Sequence, residues 1–202
     1  MFMPTYTFLP LEEIAEIFVG LARQGRVAPA QKYGLRMSLI GMKAIHHAGL
    51  NWEAIETVSL LPEIDPAFYQ IAAGDLLVTC RGTDVRLALT PEKAAGMLVD
   101  SNIIVIRCGP QLLPVLLHAY FRHSAGREVL EKASQSTTRQ KNLTVRALKK
   151  IRLPLPPLPR QHQLARLLAA AERQHALALA AAEKRLEIAR QITLNTLFEN
   201  GG

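Results

Sequence analysis

A chain of 202 residues that is 49% hydrophobic is long enough for one packed domain with an appendage and too apolar for a disordered polyelectrolyte. Its formal charge of +7 is unevenly placed: residues 1–80 carry five cations against eight acids, residues 81–160 fourteen against five, and residues 161–202 five against four. A basic middle segment points to a polyanionic partner, nucleic acid first, and no apolar run reaches the ~18–20 residues of a membrane-spanning helix.

The start, "MFMPTYTFLPLEEIAEI", lacks the basic region of a signal peptide, so a cytoplasmic protein is expected. In "LEEIAEIFVG" the spacing of Leu11, Ile14, Ile17 and Phe18 predicts a helix capped at Gly20. "LARQGRVAPAQKYGLR" reads as a polar, basic loop, and "MSLIGMKAI" as a strand running into a turn. "AGDLLVTCRGT" is a buried strand between two turns, started by Gly74-Asp75 and ended by Gly82-Thr83. "MLVDSNIIVIRC" predicts a hairpin or two strands around Asp100-Ser101-Asn102. "QLLPVLLHAYFRHSAGREVLEKAS" predicts helix with Pro114 in its first turn. The polar run "QSTTRQKN" follows, and "LTVRALKKIRLPLP" returns to a strand. The expected fold class is α+β: a mixed α/β domain over residues 1–157, then a long C-terminal helix of coiled-coil type in residues 158–202.

That last boundary is the sharpest. "LPLPPLP" fixes backbone φ and removes donors, so it should neither continue a sheet nor start a helix early. Residues 160–198 contain no Gly or Pro and predict one helix of roughly 58 Å. Leu164, Leu168, Ala171, His175, Ala178, Ala182, Leu186 and Ala189 recur at three- and four-residue steps, an Ala-rich seam suited to close pairing with another helix.

Signatures of enzyme chemistry are missing. No phosphate-cradling glycine loop, H-E-x-x-H or [DE]-x-K triplet occurs. The histidines lack Cys or carboxylate neighbours at ligand spacing, so no metal or cofactor is expected. Cys80 and Cys108 sit in apolar runs and read as reduced core residues.

Several segments in order, "LEEIAEIFVG", "AGDLLVTCRGT", "DSNIIVIRCG", "HSAGREVLEKAS" and above all "LTVRALKKIRLPLPPLPRQHQLARLL" with Gln161, resemble the target recognition domain and following helix of type I restriction–modification specificity subunits. The resemblance implies a non-catalytic subunit that reads double-stranded DNA. It implies partnership with methyltransferase subunits and possible association with a restriction subunit. With one recognition domain and one helix, the chain resembles half of such a subunit, expected to dimerise through the helix. Two other readings stay open: a detached recognition domain of a single-chain restriction–methylation enzyme, and a helical scaffold that does not bind DNA.

DNA readout needs Lys and Arg on phosphates, and Arg, Asn, Gln, Ser or Thr on base edges. Three expected loops supply them: Arg23, Arg26, Lys32 and Arg36; Arg81, Thr83 and Arg86; and Gln135, Ser136, Thr137, Thr138, Arg139, Gln140, Lys141 and Asn142.

Overall fold

The computed structural model describes residues 7–28, 34–46, 49–134 and 141–199. They fall into two units, Met1–Gln161 and His162–Gly202. In chain order the elements are β1 (Thr7–Pro10), α1 (Leu11–Ile14), β2 (Ala15–Val19), β3 (Val27–Ala28), β4 (Leu35–Ile40), β5 (Ile45–His46), β6 (Gly49–Leu50) and β7 (Glu56–Leu60). Then come β8 (Leu76–Thr79), β9 (Arg81–Gly82), β10 (Leu87–Leu89), β11 (Leu98–Val99), β12 (Ile103–Cys108), α2 (Pro114–Arg122) and α3 (Ser124–Ala133). The chain closes with β13 (Lys141–Asn142), α4 (Val145–Lys149), β14 (Arg152–Leu155) and α5 (Leu158–Glu199). The fold is α+β with a long terminal helix.

An antiparallel sheet of order β10-β8-β12-β2 forms the centre of the first unit. Alternate residues of a strand face opposite sides. Leu76, Val78, Ile104 and Ile106 pack under Leu11, Phe121, Leu130 and Leu148 of the four short helices. Leu77, Ile103 and Val105 pack on the other side with Ile40, Ile45 and Val99. Both faces are therefore covered, which is why Leu76–Val78 and Ile103–Ile106 are unbroken apolar runs. A second sheet, β11-β4-β7-β3, has its own core of Leu21, Leu39, Val58, Leu60 and Leu98.

Five local expectations are corrected. The helix expected from Leu11 to Gly20 lasts one turn: Ala15–Val19 is instead captured by β12, with Ile17 opposite Ile106. Gly20 caps no helix; a Cβ there would lie 2.3 Å from the Val99 carbonyl oxygen, so the residue permits close chain approach. The strand expected over residues 143–156 begins only at Arg152, after the helix α4 that Thr144 caps; of the two alternatives around Asp100, two strands are found, β11 pairing parallel with β4 while β12 joins the central sheet.

The segment after Gly109 is two helices, α2 and α3. His123 between them is extended and its Nδ1 accepts from the Ala125 N–H at 3.3 Å. Gly126 lets α3 approach α2, since a Cβ there would lie 2.0 Å from the Tyr120 carbonyl oxygen. Finally, the prolines do not stop the strand: Pro154 pairs with Phe8 in the two-stranded β1–β14 ribbon, where a missing donor is tolerated. Pro159 lies in the first turn of α5, which starts at Leu158.

Candidate nucleic-acid interface

Two of the three expected loops meet. Arg81 of β9 pairs with Asn142 of β13, and Gly82 with Lys141. The Leu143 N–H donates to the Cys80 carbonyl at 2.9 Å, and Cys80 donates to Asn102 at 2.9 Å. A ribbon built from residues sixty positions apart is thus rooted in the end of β8. Gly82 holds φ at +127°, a conformation closed to L side chains, as the tight turn after Arg81 requires. Thr79 fastens that turn: its N–H donates to the Arg86 carbonyl at 3.0 Å, and its Oγ1 accepts from the Arg86 N–H at 2.9 Å.

Arg81 and Asn142 are exposed on this ribbon, and Thr83 is exposed in the turn after it. Lys141 is placed by its backbone pairing. Gln135, Ser136, Thr137, Thr138, Arg139, Gln140 and Lys32 lie outside the described residues. Arg86 is half-buried, and its guanidinium donates to the Ile45 carbonyl at 2.9 Å. It ties the β5–β6 hairpin to the 81–86 turn.

The first expected loop is partly strand. Val27–Ala28 pairs with β7, and Arg36 lies within β4 opposite Ser59, exposed. Arg26 is half-buried, its guanidinium 6.0 Å from the Tyr69 ring centre. Arg23 donates to both Glu56 oxygens, at 2.7 and 3.1 Å, and lies 3.9 Å from Asp100. These hydrogen bonds hold Glu56 below the ordinary carboxylate range and push Arg23 up. With its charge matched by two carboxylates, Arg23 is poorly placed to neutralise a phosphate.

Two polar clusters escaped the residue-by-residue reading. Asp75, read only as a turn residue, is almost wholly buried. Its carboxylate accepts from Arg107 Nε at 3.0 Å, from a terminal Arg107 nitrogen at 2.8 Å and from the Ala72 N–H at 2.8 Å. Arg107 also donates to the Gln70 carbonyl at 3.1 Å and lies 5.3 Å from the Phe18 ring centre. Gln161 is fully buried. Its amide nitrogen donates to the Gln111 carbonyl at 2.7 Å and the Pro156 carbonyl at 2.9 Å, while Oε1 accepts from the Leu113 N–H at 2.9 Å. An acid between Gly74 and an apolar run was the available signal for the first. The second was marked only by the place of Gln161 just after the proline run.

Both cysteines are free. Burial, with Asp75 adding to it, pushes the Cys108 thiol up to about 12, and burial pushes Cys80 up as well. Both are protonated at neutral pH and make poor nucleophiles or metal ligands. Among the described residues no group of three His, Cys, Asp or Glu could hold a metal ion, and no helix is long and apolar enough to cross a membrane.

A polar ribbon is held at the end of a doubly covered sheet, in an α+β domain whose chain continues into a 42-residue helix. The chain belongs to the type I restriction modification DNA specificity domain family, which matches residues 9–187. It is 22% identical over 162 residues to a sequence assigned as the type I restriction enzyme MjaX specificity subunit of Methanocaldococcus jannaschii, covering 78% of this chain and 37% of that one. Its fold is similar to the HsdS subunit from Thermoanaerobacter tengcongensis (TM-score 0.65, 20% identity, 98% of this chain and 51% of that one). It is also similar to a type I restriction–modification S subunit from M. genitalium (TM-score 0.54, 15% identity, 97% of this chain and 47% of that one). The chain therefore spans about half the length of these solved subunits, and less of the archaeal relative.

Proposed function

We propose that this chain reads double-stranded DNA sequence, without catalysing a reaction, as a specificity half-subunit of a type I-like restriction–modification system. The observation that carries this reading is the β9–β13 ribbon. It sets Arg81 opposite Asn142, with Thr83 exposed in the turn that follows β9. Arg and Asn are the side chains that recognise guanine and adenine edges bidentately. Rigid support suits them to readout, because the ribbon is bonded into the end of β8. Selection of bound sequences from random duplex DNA, with methyltransferase subunits present, tests the reading. Arg81→Glu should weaken binding to the selected site by about 1–3 kcal/mol and relax one base position. Unchanged affinity and unchanged sequence preference would remove the ribbon from the interface.

The helix supports a pairing role. At about 100° per residue, Leu164, Leu168, Ala171, His175, Ala178, Ala182, Leu186 and Ala189 form one stripe along α5. From residue 169 to 198 the helix is exposed in the single chain. A two-fold antiparallel pair would cover this stripe, using the same surface twice. Leu167 and Ile192, exposed beside the stripe, and Leu177 and Ile188, exposed farther round the helix, suit the packing of methyltransferase subunits. Dyad pairing implies two inverted half-sites around a non-specific spacer. Replacing Ala178 and Ala182 with Glu should convert the pair to monomers in light scattering at tens of micromolar and abolish binding to the split site. A wild-type chain that is monomeric there, or selected sites without inverted symmetry, would exclude the pairing.

A further inference from the structure

Residues 132–171 contain nine cations and no acid. Two of the nine, Arg146 and Lys149, lie on α4, which starts two residues beyond the β9–β13 ribbon, and a third, Lys150, is its C-cap. Thr144 caps this short helix, its Oγ1 accepting from the Ala147 N–H at 3.1 Å. The rotation of the segment is fixed by its apolar residues: Leu143, Leu148 and Ile151 are buried in the core beneath the central sheet's helices. With Leu148 inward, Arg146 and Lys150 fall on the opposite side, and both are exposed; Lys149 flanks them, half-buried.

Carboxylates do exist on the elements packed against α4. They are Glu12 and Glu13 on α1, Glu16 on β2, and Glu128 and Glu131 on α3. Glu128 is taken by Lys132 at 2.7 Å, and among the described residues none forms an ion pair with Arg146, Lys149 or Lys150. Long cationic side chains on a core-anchored helix, unneutralised and next to the ribbon, fit a polyanion lying across both.

We infer that the outer face of α4 is a phosphate-backbone contact, which continues the readout ribbon and holds duplex DNA in register without reading bases. The inference rests on the proposed DNA-reading function and adds a sequence-independent part of the footprint to it. An acidic protein surface is the competing occupant. DNA is favoured because the cations adjoin the ribbon directly and because spread point charges follow a phosphate chain, whereas base readout needs bidentate groups.

The full chain and its Arg146→Gln, Lys150→Gln variant should be titrated with a selected duplex and a random-sequence duplex at several salt concentrations. Both variant positions are exposed, so unfolding midpoints should agree. The expected result is a weakening of roughly tenfold to hundredfold at 0.1 M salt, equal for both duplexes, with the slope of log K against log salt reduced by about 2. The selected sequence should not change. Wild-type affinity and slope in the variant would overturn the inference and leave the DNA-reading function standing. A changed base preference would overturn it too. So would intact DNA binding with lost association to methyltransferase subunits, which would assign the face to an acidic protein surface. Failure of the unaltered chain to bind any duplex would remove the proposed function, and this contact with it.

Discussion

Replacing Arg107 with Ala should destabilise the full chain by about 3–5 kcal/mol, and Asp75→Ala should cost less, about 2–3 kcal/mol. The asymmetry follows from exposure. The Asp75 side chain is 2% exposed and that of Arg107 is 37%. Without Arg107, a carboxylate remains where water barely reaches, with only the Ala72 N–H to compensate it. Without Asp75, the guanidinium can hydrate from its open side and keep its bond to the Gln70 carbonyl. The pair is bidentate, and the hydrogen bond to Asp75 pushes the Arg107 pKa up. Arg107→Lys should recover only part of the loss, because an ammonium cannot supply the fork. Urea unfolding of the single variants and the double variant measures the coupling. Equal costs for the two single variants, or a double variant as costly as their sum, would show that the pair is not the unit of stability.

This pair marks how far the sequence could be read. Buried strands were legible at Leu76–Thr79 and Ile103–Cys108 because the stretches covered on both faces, Leu76–Val78 and Ile103–Ile106, are apolar at every position. Pro114 correctly placed the start of α2. The misreading of Ala15–Val19 has a physical cause. Leu11, Ile14, Ile17 and Phe18 satisfy helical spacing, yet Ile17 and Phe18 also suit opposite faces of a strand. Sheet partners decide between these, and the partner is 90 residues away.

Helix α4 carried a local signal, Thr144 ahead of Val-Arg-Ala, that was outweighed by the β-branched residues around it. The candidate site was legible as residue types and not as geometry. Nothing local tells that Arg81 pairs with Asn142, or that Arg23 is neutralised by Glu56 while Arg36 is free to project from a strand. Such facts depend on long-range pairing, and composition does not encode it.

Replacing Gln161 should cost about 2–4 kcal/mol in the unit Met1–Gln161, whether the new residue is Ala or Met. All three of its partners are backbone groups: the carbonyls of Gln111 and Pro156 and the N–H ahead of α2 at Leu113. None lies in a regular ladder that could re-form without the side chain. Met has nearly the volume of Gln and keeps the packing, but leaves the same donor and two acceptors unmet, so Gln161→Met separates hydrogen bonding from cavity formation. Gln161→Glu should be at least as damaging, because a carboxylate faces two carbonyl oxygens with no proton to offer. If Gln161→Met unfolds in urea at the wild-type midpoint, the buried amide contributes nothing that packing does not. A loss equal to that of Gln161→Ala would show that one amide, satisfied three times, ties the first turn of α5 to the segment before α2.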